Sequence, residues 1–111
     1  MSELIAVRLY FPVAARAKPS SFWHRLSQPS LAGHLLKAAK HSGIEQVVLH
    51  PVHAGYMNGD PLEHLHMDRA SKGLPICLEL MDTEANIRRF LAKHADDLTG
   101  VRTILFRCEC L

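Results

Sequence analysis

Histidine and cysteine are the side chains here whose types and spacing could do chemistry; the chain holds eight and three of them among 111 residues. His64-Leu65-His66 puts two imidazoles on one face of an extended segment. His50 and His53 precede this pair, and Asp68 adds an oxygen donor close by. Imidazoles with one carboxylate suit zinc, copper or nickel. No His-Glu-x-x-His motif is present, so a solvated loop that happens to contain histidines is the preferred reading. Cys108-Glu109-Cys110 likewise sets two sulfurs on one side of an extended tail. It reads equally as a soft-metal or redox pair and as a frayed end with incidental thiols. A disulfide closing so short a ring would be strained. The metal candidates are therefore His64, His66, Cys108 and Cys110, with zinc or copper as the ion.

A second chemistry is anion binding. Arg102 and Arg107 flank the last apolar run, and each can hold a phosphate or carboxylate bidentately, with Arg8 on the same sheet. For any one arginine, a surface position or an ion pair is the plainer reading. Tyr56 can stack on a base or anchor packing. Phe22 and Trp23 read as satellite core rather than a partner-docking wedge. Cys77, out of phase with Ile76 and Leu78, reads as a small core or interface residue. Neither a nucleophile elbow nor a phosphate-cradling Walker loop occurs, so no enzyme is expected.

The elements that must position these residues follow from the apolar pattern. Leu4 to Phe11 is a strand apolar on both sides except at Arg8. Residues 12–29, with three prolines, form a connector. Ser30 caps a helix carried by Leu31, Leu35, Leu36, Ala38 and Ala39, and Gly43 closes it. A strand over Gln46 to His53 contains Pro51, which places it at a sheet edge. Residues 54–72 form a long polar loop, and Leu74 to Met81 is a further strand. Asp82 or Thr83 caps a second helix with Ile87, Phe90, Leu91, His94 and Leu98 on one face, ended by Gly100. Glu84 and Arg88 pair across one turn of it. Val101 to Phe106 is the last strand, and 107–111 is a tail.

Strand, helix, strand, strand, helix, strand is the ferredoxin-like βαββαβ order: an α+β fold with a four-stranded antiparallel sheet and two helices on one face. The whole chain, 1–111, reads as one domain. Three strands are apolar on both faces, so the uncovered face calls for another copy of the sheet. A net charge of +2 argues against nucleic acid, and no apolar run is long enough for membrane insertion. Without a signal-peptide pattern, and with an odd cysteine count, the cytoplasm is the expected compartment.

With these elements placed, the chain resembles the PII-like signalling proteins (the nitrogen regulatory protein superfamily), and within them the family called domain of unknown function 190. The resemblance rests on Leu31 to Ile44, on Gly55-Tyr56 at the loop start, and on Leu74-Pro75-Ile76-Cys77-Leu78-Glu79-Leu80-Met81-Asp82-Thr83-Glu84. It implies a homotrimer with the sheets facing inward and a flexible loop, the T-loop, at residues 54–72. It further implies an adenine nucleotide between subunits, and a regulated transporter or enzyme met through the loop. The residues expected at the ligand are His53, Gly55, Tyr56 and Gly59 at the loop base, with Arg102 and Arg107 as anion partners. Two departures stand out. Met57 replaces a second loop-base glycine, and the turn Asp97 to Arg102 lacks the Gly- and Lys-rich phosphate loop. That weighs against a triphosphate and leaves a nucleoside monophosphate, a cyclic nucleotide or another small anion. The alternative is a CutA-like metal-binding trimer using His50, His53, His64, His66, Cys108 and Cys110; a third reading is a ligand-free adaptor.

Overall fold

In the computed structural model, residues 3–18, 28–66 and 72–111 are described below. The chain runs β1 (Leu4–Pro12), α1 (Leu31–His41), β2 (Gln46–His50), β3 (Ala54–Gly55), β4 (Glu63–His64), β5 (Pro75–Thr83), α2 (Glu84–Lys93) and β6 (Arg102–Arg107). The four longer strands form one sheet in the order β2-β5-β1-β6, every neighbour antiparallel. This is the ferredoxin-like arrangement expected from the apolar pattern.

Alternation along the strands divides the sheet into two faces. Ile5, Val7, Leu9 and Phe11 of β1 and Ile76, Leu78 and Leu80 of β5 point one way. They pack with Leu31, Leu35 and Ala39 of α1 and Ile87 and Phe90 of α2. Each large apolar side chain buried there contributes about 1.5–3 kcal/mol, against roughly 0–1 kcal/mol for an exposed ion pair. The helix-side core therefore holds the fold, and the charged network described below does not.

Capping follows the sequence closely. Ser30 Oγ accepts the Gly33 N–H at 3.1 Å, and Gly43, at φ +77°, turns the chain out of α1. Thr83 is the N-cap of α2, accepting the Asn86 N–H at 3.3 Å. Asp82 sits just behind it, 5% exposed. Its carboxylate accepts the N–H groups of Glu45 (2.8 Å) and Thr83 (2.6 Å) and the Asn86 side-chain amide (2.8 Å). One side chain thus ties the starts of β2 and α2 to the end of β5.

Three boundaries differ from expectation. β2 stops at His50, before Pro51, because proline has no N–H for the ladder; its edge position is as expected. α2 ends at Lys93 and does not reach Leu98. Beyond His94 the backbone tightens to i→i+3 bonds, Asp97 N–H to His94 O and Leu98 N–H to Ala95 O. Asp96 and Asp97 are ill suited to the negative end of a helix. The loop over 54–72 contains the short β3/β4 ribbon, pairing Ala54 with His64 and Gly55 with Glu63. Phe22, Trp23 and Asp68 lie outside the described residues. No helix among those described is long and apolar enough to cross a membrane.

Candidate functional site

The register puts the loop and the tail at opposite ends of the sheet. Pro12 pairs with Pro75 at the end from which the loop springs, and Leu4 pairs with Thr83 at the other. The nine residues of β1 separate these ends by roughly 26 Å. At the loop end, the Met57 carbonyl accepts the Asp60 N–H at 2.9 Å, closing a turn with Gly59 at φ +89°. Among the described residues no non-glycine has a positive φ, so the turn is type II, with Gly59 at the position that favours glycine. The base of the ribbon is held by Leu65 N–H on the His53 carbonyl at 2.7 Å. Gly55 lies close over Pro75, where an added Cβ would meet Pro75 Cγ at 3.5 Å.

This turn borders an open groove of about 500 Å³ at the end of the sheet. Its walls are Tyr10 to Pro12 of β1, Met57, Asn58 and Asp60 of the loop, and Gly100 to Arg102 entering β6. Arg102 is exposed and stands opposite Tyr10 in the ladder. The groove therefore offers one guanidinium and backbone from a turn, beside the Asp60 carboxylate. The N–H groups of Asp97, Leu98 and Val101 are engaged inside the preceding turn, on His94, Ala95 and Leu98 carbonyls. They are not available to cradle a phosphate chain.

Of the residues expected at an anion, Arg102 meets the groove, and Gly59 shapes the turn that lines it. His53 and Gly55 build the loop base, and Tyr56 is 64% exposed on the loop. Arg107 sits at the far end of β6 and meets a carboxylate instead. Its Nη1 and Nη2 reach the two Glu84 oxygens at 2.9 and 3.4 Å. Arg88 reaches Glu84 at 2.8 Å. Arg107 first and Arg88 second pull the Glu84 carboxyl down to about 2. Within one chain, Arg102 and Arg107 do not converge.

The sheet face away from the helices carries an ordered polar strip among apolar side chains. Arg8 Nε donates to Glu79 Oε2 at 2.7 Å, and its guanidinium lies over the Phe106 ring, 5.2 Å from the centroid. His50 Nε2 stands 3.8 Å from the other Glu79 oxygen, shielded from solvent and without a hydrogen-bond partner. Cys77 is buried between Tyr10 and His50 in the ladder; burial pushes its thiol up. Val48 and Phe106 remain exposed on this face, at 38% and 40%.

Within one chain, the histidine and cysteine candidates for a metal lie apart. His64 is on the loop ribbon, whereas Cys108 is at the far end, its thiol donating to the Leu4 carbonyl at 3.5 Å. All three cysteines are free thiols. Desolvation and the neighbouring Cys110 keep the Cys108 thiol above its usual value. Among the described residues, the three metal-type donors that do meet are His34, His94 and Asp97. The sequence signal for them was His94-x-x-Asp97 at a helix end; nothing local linked these to His34.

Among solved structures, a crystal structure of an EthD-like protein from Ralstonia eutropha JMP134 is similar at 17% identity and TM-score 0.41, with 95% of this chain and 89% of that one covered. An amidase of the hydantoinase/carbamoylase family from Burkholderia phymatum is similar at 14% identity and TM-score 0.35, over 97% of this chain. A second such amidase, from Burkholderia ambifaria, gives 14% and 0.34, over 96%. This chain spans only 28% and 27% of those two amidase chains. No curated protein matches. The family model DUF190, described as an uncharacterized ACR, matches residues 23–108. That match spans most of the chain, which therefore belongs to the DUF190 family, a PII-like group.

Proposed function

We propose that this protein is a cytoplasmic PII-like regulator, not an enzyme, that binds a small anionic effector of the adenine nucleotide class between subunits. The observation that carries this reading is the groove where the 57–60 turn meets Tyr10 and Arg102. In this reading the turn that walls the groove moves between a free and a ligand-ordered position, and a ligand on Arg102 favours the second. The loop then reports occupancy to a partner protein.

The second sheet face supports assembly as a trimer in this reading. Val48 and Phe106 are exposed there, and Arg8, Glu79 and His50 are only partly shielded. Three copies packed through this face would cover the apolar positions. They would also bring a neighbour's surface to the groove at its edge, completing a cleft that one chain leaves open. With Asp97, Leu98 and Val101 N–H groups engaged in the turn, the effector is one with few phosphates: AMP or a cyclic nucleotide ahead of ATP.

The test is calorimetric titration of wild type and Arg102→Ala with AMP, cyclic AMP and ATP. AMP or cyclic AMP should bind, and Arg102→Ala should weaken it by about tenfold, the loss of one charge-assisted contact of roughly 1.5 kcal/mol. A nucleotide that binds both proteins equally well would move the site elsewhere. Absence of binding by all three would end the nucleotide reading.

A further inference from the structure

The helix layer holds a cluster that the groove does not use. His34 leaves the first turn of α1, His94 is the C-cap of α2, and Asp97 stands in the turn behind it. His34 Nε2 is 3.2 Å from Asp97 Oδ2, and His94 Nδ1 is 4.0 Å from the same oxygen. One donor atom from each residue lies within 4.8 Å of the other two.

The backbone builds this cluster. Lys18 N–H donates to Asp97 Oδ1 at 2.7 Å, which fixes the carboxylate and leaves Oδ2 toward the imidazoles. Asp97 N–H donates to the His94 carbonyl at 3.0 Å, so the turn itself holds these two side chains together. The His94 ring lies against Phe90, centroids 4.5 Å apart, and edge-on to His34 at 5.8 Å. The side chains of His94 and Asp97 are 11% and 13% exposed, and that of His34 is 36% exposed. The cluster is walled on one side and open on the other.

A His–Asp ion pair accounts for His34 and Asp97 but not for His94. The Nδ1 of His94 faces the shared oxygen from beyond hydrogen-bond range, and its Nε2 is buried without a partner. We propose that His34, His94 and Asp97 bind a divalent transition-metal ion of the zinc class, with water in the fourth position. Two imidazoles and one carboxylate with an open place are a set that zinc accepts. Tetrahedral bonds of about 2.0–2.1 Å place ligand atoms about 3.3–3.4 Å apart. The 3.2 Å pair already meets that spacing. The 4.0 Å pair needs to close by roughly 0.6 Å, and the two imidazole nitrogens, within 4.8 Å of each other, by at most about 1.4 Å, which side-chain rotation of the part-exposed His34 supplies. The site uses neither Arg102 nor the loop, so it stands or falls independently of the regulatory reading.

Metal-free protein titrated with Zn²⁺ should take up an ion that depends on this cluster. His34→Ala and Asp97→Asn should each weaken uptake by at least tenfold, since even outer-shell partners of a metal cost about 10- to 100-fold. The double variant His64→Ala, His66→Ala should bind as wild type does. His34 is part-exposed, so an unchanged circular dichroism spectrum and metal-free melting temperature establish that His34→Ala is folded. In the wild type, ¹⁵N imidazole spectra should show His34 Nε2 and His94 Nδ1 shifting on Zn²⁺ addition, a readout that needs no variant. No Zn²⁺ uptake, uptake unaffected by His34→Ala and Asp97→Asn, or uptake lost with the 64/66 double variant would overturn the site.

Discussion

Replacing Asp82 by alanine should unfold the junction of β2, β5 and α2 more than its size suggests. The buried carboxylate accepts two backbone N–H groups and the Asn86 amide, at 2.6–2.8 Å. Alanine leaves the part-buried Glu45 and Thr83 N–H groups without that acceptor, and an orphaned donor costs about 1–3 kcal/mol where water does not reach it. A groove lined by Ser42, Gly43, Asn86 and Arg89 borders the site, so water replaces part of what is lost. The expected cost is therefore about 2–4 kcal/mol, below the full sum for three bonds. For a chain of this size that lowers the melting temperature by roughly 10–20 °C. Asp82→Asn, which keeps the volume but loses the charge, should cost about half as much.

The pH dependence provides an internal check on Asp82. Burial pushes the carboxyl up, but the Asn86 amide and the Thr83 and Glu45 N–H groups outweigh it and hold its pKa below the ordinary value. A carboxyl whose pKa is depressed by folding contributes stability above its unfolded pKa and loses it as pH falls through the folded one. The advantage of wild type over Asp82→Asn should thus be constant near neutrality and shrink below about pH 4. Thermal or urea unfolding followed by circular dichroism measures both. A loss under about 0.5 kcal/mol for Asp82→Ala, within the range of ordinary surface changes, would refute the reasoning. So would a wild-type advantage over Asp82→Asn that does not change with pH.

Two further predictions concern the assembly and the loop. Phe106→Asp places a charge on the exposed apolar side of the sheet, away from the helix-side core, and should convert a trimer to monomers in light scattering while the far-ultraviolet spectrum is kept. A trimer that persists would show that this face is not the interface. Gly59→Val puts a β-branched residue at φ +89°, a strain of about 1–2 kcal/mol confined to the 57–60 turn. AMP affinity should fall, and the melting temperature should drop by about 5–10 °C; unchanged affinity would separate the turn from the ligand.

Much of the fold was legible because its determinants are local. The near-continuous apolar runs Leu4 to Phe11 and around Cys77, the Ser30 cap and the glycine after α1 each named their element from a few neighbours. The end of α2 was misread because His94 and Leu98 continue the apolar period, while the acidic pair at 96 and 97 and the i→i+3 turn that follows act against the helix. The site was less legible. Alternation places His64 with His66 and Cys108 with Cys110, but it does not say that these pairs lie at opposite ends of a sheet. The same applies to Arg102 and Arg107, which five positions of strand hold apart. His34 and His94 come from different helices, and only packing on a common sheet brings their rings within 5.8 Å. Periodicity reports which face a residue takes; tertiary register decides which residues share a site.

Hydrogen exchange with and without saturating AMP tests the central claim most directly, because it reads the groove and the loop in the same experiment. Added protection is expected over residues 54–66 and 100–102 in the wild type, and none of it in Arg102→Ala. Protection that is absent from these segments, or that survives the loss of Arg102, would contradict it.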